Sequence, residues 1–172
     1  MIETIEILLL IIAPITIISF VIFFIIGAAI KIQMWSEDFF EELKNFKVGI
    51  PSFVITIIGF VLIFSLNALE NNLARNEIKD FVNENNSLII SANKISIDSL
   101  SKAFLNISKR SNYRNTGNIE IKVLIKSKSQ KLPIRLLRST EDSNKYWVFL
   151  EKYNSTSKNC IGEINTNLLD EF

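Results

Sequence analysis

The sequence predicts a membrane α-helical hairpin of two transmembrane helices, followed by a small soluble α+β domain with an antiparallel sheet. Three observations carry this expectation. Residues 7–30 are 24 positions without a charge. Residues 48–69 are another 22. Beyond them the pattern changes to short apolar–polar alternation broken by polar turns, the mark of half-buried strands.

A helix of 24 residues is about 36 Å long, enough to cross a hydrocarbon core of about 30 Å with some tilt. Both segments are rich in Ile and Phe, and neither has the polar face of a soluble amphipathic helix. A cleaved signal peptide is the competing reading, since Gly27, Ala28 and Ala29 resemble a cleavage site. Against it, the tail before the first span carries Glu3 and Glu6 with no Lys or Arg, and the apolar stretch is too long for a signal core. Pro14 is expected to kink the first span or mark its end. Pro51 falls in the first turn of the second, where its missing N–H costs nothing. Ser52, Thr56 and Gly59 share one helix face, and Thr16, Ser19 and Gly27 form a looser stripe on the first span. Small residues let helices approach closely in lipid, either within one hairpin or in a homo-oligomer. The spans contain no Asp, Glu, Lys or Arg, which argues against an ion or proton pathway through one chain.

Residues 31–47 connect the spans. Ile32, Trp35, Phe39, Leu43 and Phe46 recur every three or four positions, with Glu37, Asp38, Glu41 and Glu42 on the other face. The pattern predicts an amphipathic helix on the membrane surface, with Trp35, Phe39, Leu43 and Phe46 at the interface. A helical extension of the first span against a partner is the alternative. Lys31, Lys44 and Lys47 flank the spans on this side, whereas the N-terminal tail has no basic side chain. That bias favours a cytoplasmic loop and puts the C-terminal domain outside the cytoplasm.

In residues 70–172 the first expectation is a helix over 70–86 with Ala74, Ile78, Phe81 and Val82 on one side. Residues 87–97 read as a small hairpin about Asn93-Lys94. Asp98 reads as the N-cap of a helix to about Ser108, with Leu100, Phe104 and Ile107 inside. Ile119, Ile121, Val123 and Ile125 alternate with Glu120, Lys122, Leu124 and Lys126 as a strand. Strands are also expected over 131–138, 145–153 and 161–164, with a polar turn at 139–144. The order fits one or two helices on an antiparallel sheet.

Arg138-Ser139, Tyr146-Trp147-Val148-Phe149, Tyr153, Thr156-Ser157-Lys158-Asn159, Ile161-Gly162 and Thr166 to Leu168 resemble the tail of bacterial two-span membrane-anchored proteins with a Tyr-Trp-Val-Phe C-terminal domain. The likeness covers about a fifth of the chain. An acid commonly follows the Arg in that pattern, where this chain has Ser139. The resemblance implies a bacterial membrane protein and no particular activity.

Composition speaks against most enzyme classes. There is no His for acid–base work, and Cys160, the single cysteine, has no His to activate it. Glu141-Asp142 and Asp170-Glu171 are sequence neighbours that point apart, poor metal ligands. With five glycines there is no phosphate-binding loop. Sequons at Asn85, Asn106 and Asn154 matter only in a secreted eukaryotic setting. From residue 68 onward 16 basic residues stand against 12 acidic, a net of +4, which does not predict a specific nucleic-acid partner. No cofactor and no metal is expected. Lys102, Lys109, Arg110, Arg114, Lys122, Lys126, Arg135 and Arg138 form either a solvated face or one attracted to anionic lipid. If Tyr146, Val148 and Leu150 face one side of the sheet, then Trp147 and Phe149 face the other, joined by Leu124 and Leu137. That second face either lies under the helix after span two or docks a protein partner.

The reading that follows is non-enzymatic. It is a small protein of a bacterial inner membrane presenting an interaction or sensory domain, with the lipid bilayer and an unidentified protein as partners. The alternative is an immunity or defence protein acting against, or as, a membrane-targeting toxin.

Overall fold

The computed structural model describes residues 1–33, 49–84, 88–91, 97–109, 116–126 and 130–166. The predicted interface residues Trp35, Phe39, Leu43 and Phe46 lie outside the described residues. Two compact units divide between Ala68 and Leu69.

The first unit is built from α1 (Ile2–Gln33) and the first part of α2 (Gly49–Asn83). Both helices are long and apolar enough to cross a membrane, by length and composition. Pro14 does not end α1; the helix runs through it. The backbone gives up one N–H bond there and continues. The burial pattern is the reverse of a soluble helix pair. Thr16, Ser52 and Thr56 are buried at 1%, 4% and 6% exposure, while Leu10, Phe24 and Phe64 stand 77%, 65% and 72% exposed. The buried hydroxyls are satisfied within their own helices: Thr16 Oγ1 donates to the Ile12 carbonyl at 2.8 Å, and Thr56 Oγ1 to Ser52 at 2.7 Å. With its polar atoms so occupied, the small-residue face can close tightly. Phe23 meets Phe53 at 5.1 Å between ring centroids, and Phe20 meets Phe60 edge-on at 6.3 Å.

The second unit begins in the same helix α2, which continues unbroken to Asn83. It adds β1 (Leu88–Ser91), α3 (Ile97–Leu105), β2 (Thr116–Lys126), β3 (Lys131–Ser139), β4 (Lys145–Leu150), α4 (Asn154–Lys158) and β5 (Gly162–Asn165). The sheet is antiparallel throughout, in the order β1-β2-β3-β4-β5. Alternation in β2 works as expected from Glu120 on, but Ile119, expected on the buried side, is exposed. Ile121, Val123 and Ile125 are buried, whereas Glu120 and Lys122 are exposed.

One face of the sheet carries the main core. Ile121, Val123, Ile134, Leu136, Tyr146, Val148 and Leu150 pack with Ala74, Ile78 and Phe81 of α2 and with Leu100 and Phe104 of α3. Each Val, Leu, Ile or Phe among them that is fully removed from water contributes about 1.5–3 kcal/mol before the entropy of ordering is counted. The helix face predicted over 70–86 is therefore a sheet cover.

Three local expectations need correction. Of the hairpin expected over 87–97, Leu88–Ser91 is a strand paired with β2, and Ile97 already belongs to α3. The turn proposed at Asn93-Lys94 lies outside the described residues. Asp98 is inside α3 rather than its N-cap, and α3 stops at Leu105. Past that end, Ser108 forms a bridge to Glu163 beside β5, with N–H to carbonyl bonds of 3.0 and 3.2 Å in the two directions. Strand β4 stops at Leu150, and the chain turns into α4. The bridge explains Gly162. A Cβ there would lie 2.6 Å from the Ser108 carbonyl oxygen, so only glycine admits the approach.

Candidate functional site

The helix-packing residues Ser52, Thr56 and Gly59 are brought together with the α1 stripe. A side chain on Gly59 would drive into Thr16, so the helices touch at a glycine. Around this contact Ile12, Ile15, Ile55, Ile58 and Leu62 line a shallow apolar groove. Within the chain, Thr16 of the α1 stripe and Gly59 of the α2 face are the pair in closest approach.

The candidate interaction residues fall on the face of the sheet opposite the main core. Trp147 pairs with Leu137 across β3 and β4, and Phe149 pairs with Arg135. Trp147 and Phe149 are each only 2% exposed. Neither sequence-based alternative accounts for that. The helix after span two covers the other face, and the pair is not an open patch. Instead Trp147 and Phe149 form a second small core with Cys160 and Leu137. Leu124 is not part of it: it sits opposite Pro133, away from the pair, and is half-buried.

Cations lie against both rings. The Arg135 guanidinium carbon is 4.5 Å from the Phe149 ring centroid, and Lys145 Nζ is 5.5 Å from that of Trp147. Each cation is held in turn by carboxylates: Arg135 by Glu151 at 3.4 Å and Glu120 at 3.9 Å, Lys145 by Glu163 at 3.5 Å. This changes the reading of the basic patch. Arg135 is engaged here, Arg138 Nε donates to the Ser143 carbonyl at 2.9 Å, and Lys122 stands 3.7 Å from Glu120. Arg110 and Arg114 lie outside the described residues. The positive surface is partly neutralised in place.

Residues 151–161 complete the site, and sequence reasoning gave them no role. They run along the end of β4, where Thr156 Oγ1 donates to the Leu150 carbonyl at 2.7 Å and the Ile161 N–H to Val148 at 2.9 Å. Four contacts between α2 and this segment bind them together. Arg75 Nη1 donates to the Ile161 carbonyl at 2.7 Å. Lys152 Nζ lies 2.6 Å from Glu77 Oε1, and the Tyr153 hydroxyl donates to Glu77 at 3.0 Å. Ser155 Oγ donates to Glu70, which is 2% exposed. Arg75 also binds Asn72, which orients its guanidinium. On the opposite side Arg135 Nη2 donates to the Ser157 carbonyl at 2.6 Å.

Two groups here have displaced pKa values. Burial pushes the Tyr153 hydroxyl above its usual value, and the Glu77 carboxylate adds to the effect. Burial alone would lower Lys152, but its hydrogen bonds to Glu77 and Tyr153 and its attraction to Glu77 outweigh that, so its pKa rises.

A signal for this cluster was present. Glu70 and Glu77 share the face of α2 that carries Ala74, Ile78 and Phe81, and carboxylates in an apolar stripe need partners. Among the described residues no group of three or more His, Cys, Asp or Glu is arranged to hold a metal ion. No protein family, curated protein or solved structure matches the chain.

Proposed function

We propose that the chain is an integral membrane protein of a bacterial inner membrane that presents a non-enzymatic interaction or sensory domain. The observation that carries this reading is the inside-out hairpin: threonine and serine buried between α1 and α2, leucine, isoleucine and phenylalanine turned outward. In water that arrangement would leave a large apolar surface exposed, whereas in lipid it is the favoured one. Helix α2 gives the reading its second half. It begins in the apolar unit and ends inside the core of the sheet domain, so the domain is attached through its own core helix rather than a linker. The basic residues flanking the loop favour a C-terminal domain outside the cytoplasm.

The test is affinity purification of the full-length chain from detergent-solubilised inner membranes, combined with C-terminal reporter fusions. The expected result is recovery of a protein partner at constant stoichiometry, with a reporter that works outside the cytoplasm. Recovery of the chain from the soluble fraction contradicts the membrane reading. A reporter active only in the cytoplasm reverses the orientation.

A further inference from the structure

Residues 151–161 are held from two directions. On one side are Glu70, Arg75 and Glu77 of α2; on the other, Arg135 binds the Ser157 carbonyl, and Cys160 closes over Trp147 and Phe149. Residues 154–159 are Asn, Ser, Thr, Ser, Lys and Asn. Six polar residues in a row add no apolar side chain to either core. The seat of this segment therefore rests on polar contacts together with three apolar ones, Tyr153 and Ile161 against the main core and Cys160 in the second. The sheet beneath rests on a broad apolar core. A segment with few apolar contacts opens at lower free energy than the core it covers.

We infer that residues 151–161 form a releasable strap, held closed by α2 through Glu70, Arg75 and Glu77, whose release uncovers Trp147 and Phe149. The holding groups cluster within two turns of helix just after Leu69, where the uncharged run of α2 ends. A shift or rotation of α2 strains all of them together, because they share one rigid helix. Release exposes two aromatic side chains and the chain's only thiol at once. The inference rests on reading the C-terminal domain as a sensory or interaction module, and it gives that module a closed and an open state.

The full-length chain in phospholipid nanodiscs tests this by two readouts: alkylation of Cys160 with iodoacetamide, and hydrogen exchange of the 151–161 peptide against peptides from β2 and β3. In the parent chain, Cys160 alkylation and exchange of 151–161 are expected to outpace exchange of the β2 and β3 strands. In the variant carrying Arg75→Met and Glu77→Gln, both should accelerate by about tenfold or more while the strands keep their protection; tenfold corresponds to losing one modest charged hydrogen bond. The strap is overturned if 151–161 exchanges and Cys160 reacts only as fast as the strands in the parent chain. It is equally overturned if the variant folds and leaves both rates unchanged. Should the variant fail to fold, the parent measurement decides alone. Neither readout involves a partner, so failure here is distinct from failure to find one.

Discussion

Arg75 Nη1 donates to the carbonyl of Ile161 at 2.7 Å, across 86 residues of sequence. Arg75 is 9% exposed, and the carbonyl belongs to the residue that follows the Cys160 lid. One bond thus joins the helix that leaves the apolar unit to the segment that closes the second core. Replacing Arg75 by Met keeps much of the stem's packing and removes the donor. The Ile161 carbonyl then loses a charged partner, a change of about 1–3 kcal/mol. Thermal melting of the full-length chain in detergent, followed by circular dichroism, should shift downward accordingly. An unchanged melt would mean water replaces the guanidinium at no cost.

Burial of Tyr153 and the contacts of Glu77 with Lys152 and Tyr153 make the domain sensitive to alkali. Lys152 and Tyr153 both have pKa values raised above their ordinary 10.5 and 10.0. A raised folded-state pKa means the folded chain holds its proton more tightly than the unfolded chain. The associated stability is present in full below the ordinary values and is lost as pH rises through the folded ones. Unfolding midpoints should therefore fall as pH climbs through and beyond about 10. In Glu77→Gln the carboxylate that contributes to both shifts is gone, and the alkaline slope should be shallower. Equal slopes for parent and variant would remove Glu77 from the account.

Gly59 and Thr16 offer a test by compensation. A methyl group at Gly59 collides with Thr16, so Gly59→Ala should weaken the hairpin. Thr16→Ala opens space at the same point. The double variant should recover part of the loss, giving a coupling energy in a double-mutant cycle of about 0.5–3 kcal/mol. Additive effects in denaturation by a strong detergent would show that the two residues do not meet.

Trp147→Ala should behave as a core truncation, costing about 3–5 kcal/mol, because the ring is enclosed by Cys160, Leu137 and Lys145. Leu124→Ala, half-buried opposite Pro133, should cost much less. If the two variants melt alike, the second core is not the enclosed cluster described.

What could be read in advance was set by the range of the interactions. Alternation from Ile119 to Lys126 is local and reported its own strand. The apolar spacing of Ala74, Ile78 and Phe81 announced a buried helix face, and no breaker between Leu69 and Glu70 interrupts α2. The partner of Leu88–Ser91 could not be read the same way. A local turn signal suggested a hairpin, while the actual partner lies across α3 in β2. The cover over Trp147 and Phe149 was hidden for a related reason. It is made by Cys160 and Leu137 with Arg135 and Lys145 over the rings, and Cys160 belongs to a segment whose polar contacts run to Glu70, Arg75 and Glu77, far away in sequence. Polar runs look like solvated loops until the buried charges that face them are known.

The central proposal is that α1 and the apolar first part of α2 lie in lipid. Extraction of membranes with alkaline carbonate, followed by quantification of the intact full-length chain, tests it most directly. Both helices are long and apolar enough to cross a membrane, and a span satisfies its backbone polar groups internally. The account predicts that the chain stays in the membrane pellet and leaves it only with detergent. Release of the intact chain into the carbonate supernatant would contradict it.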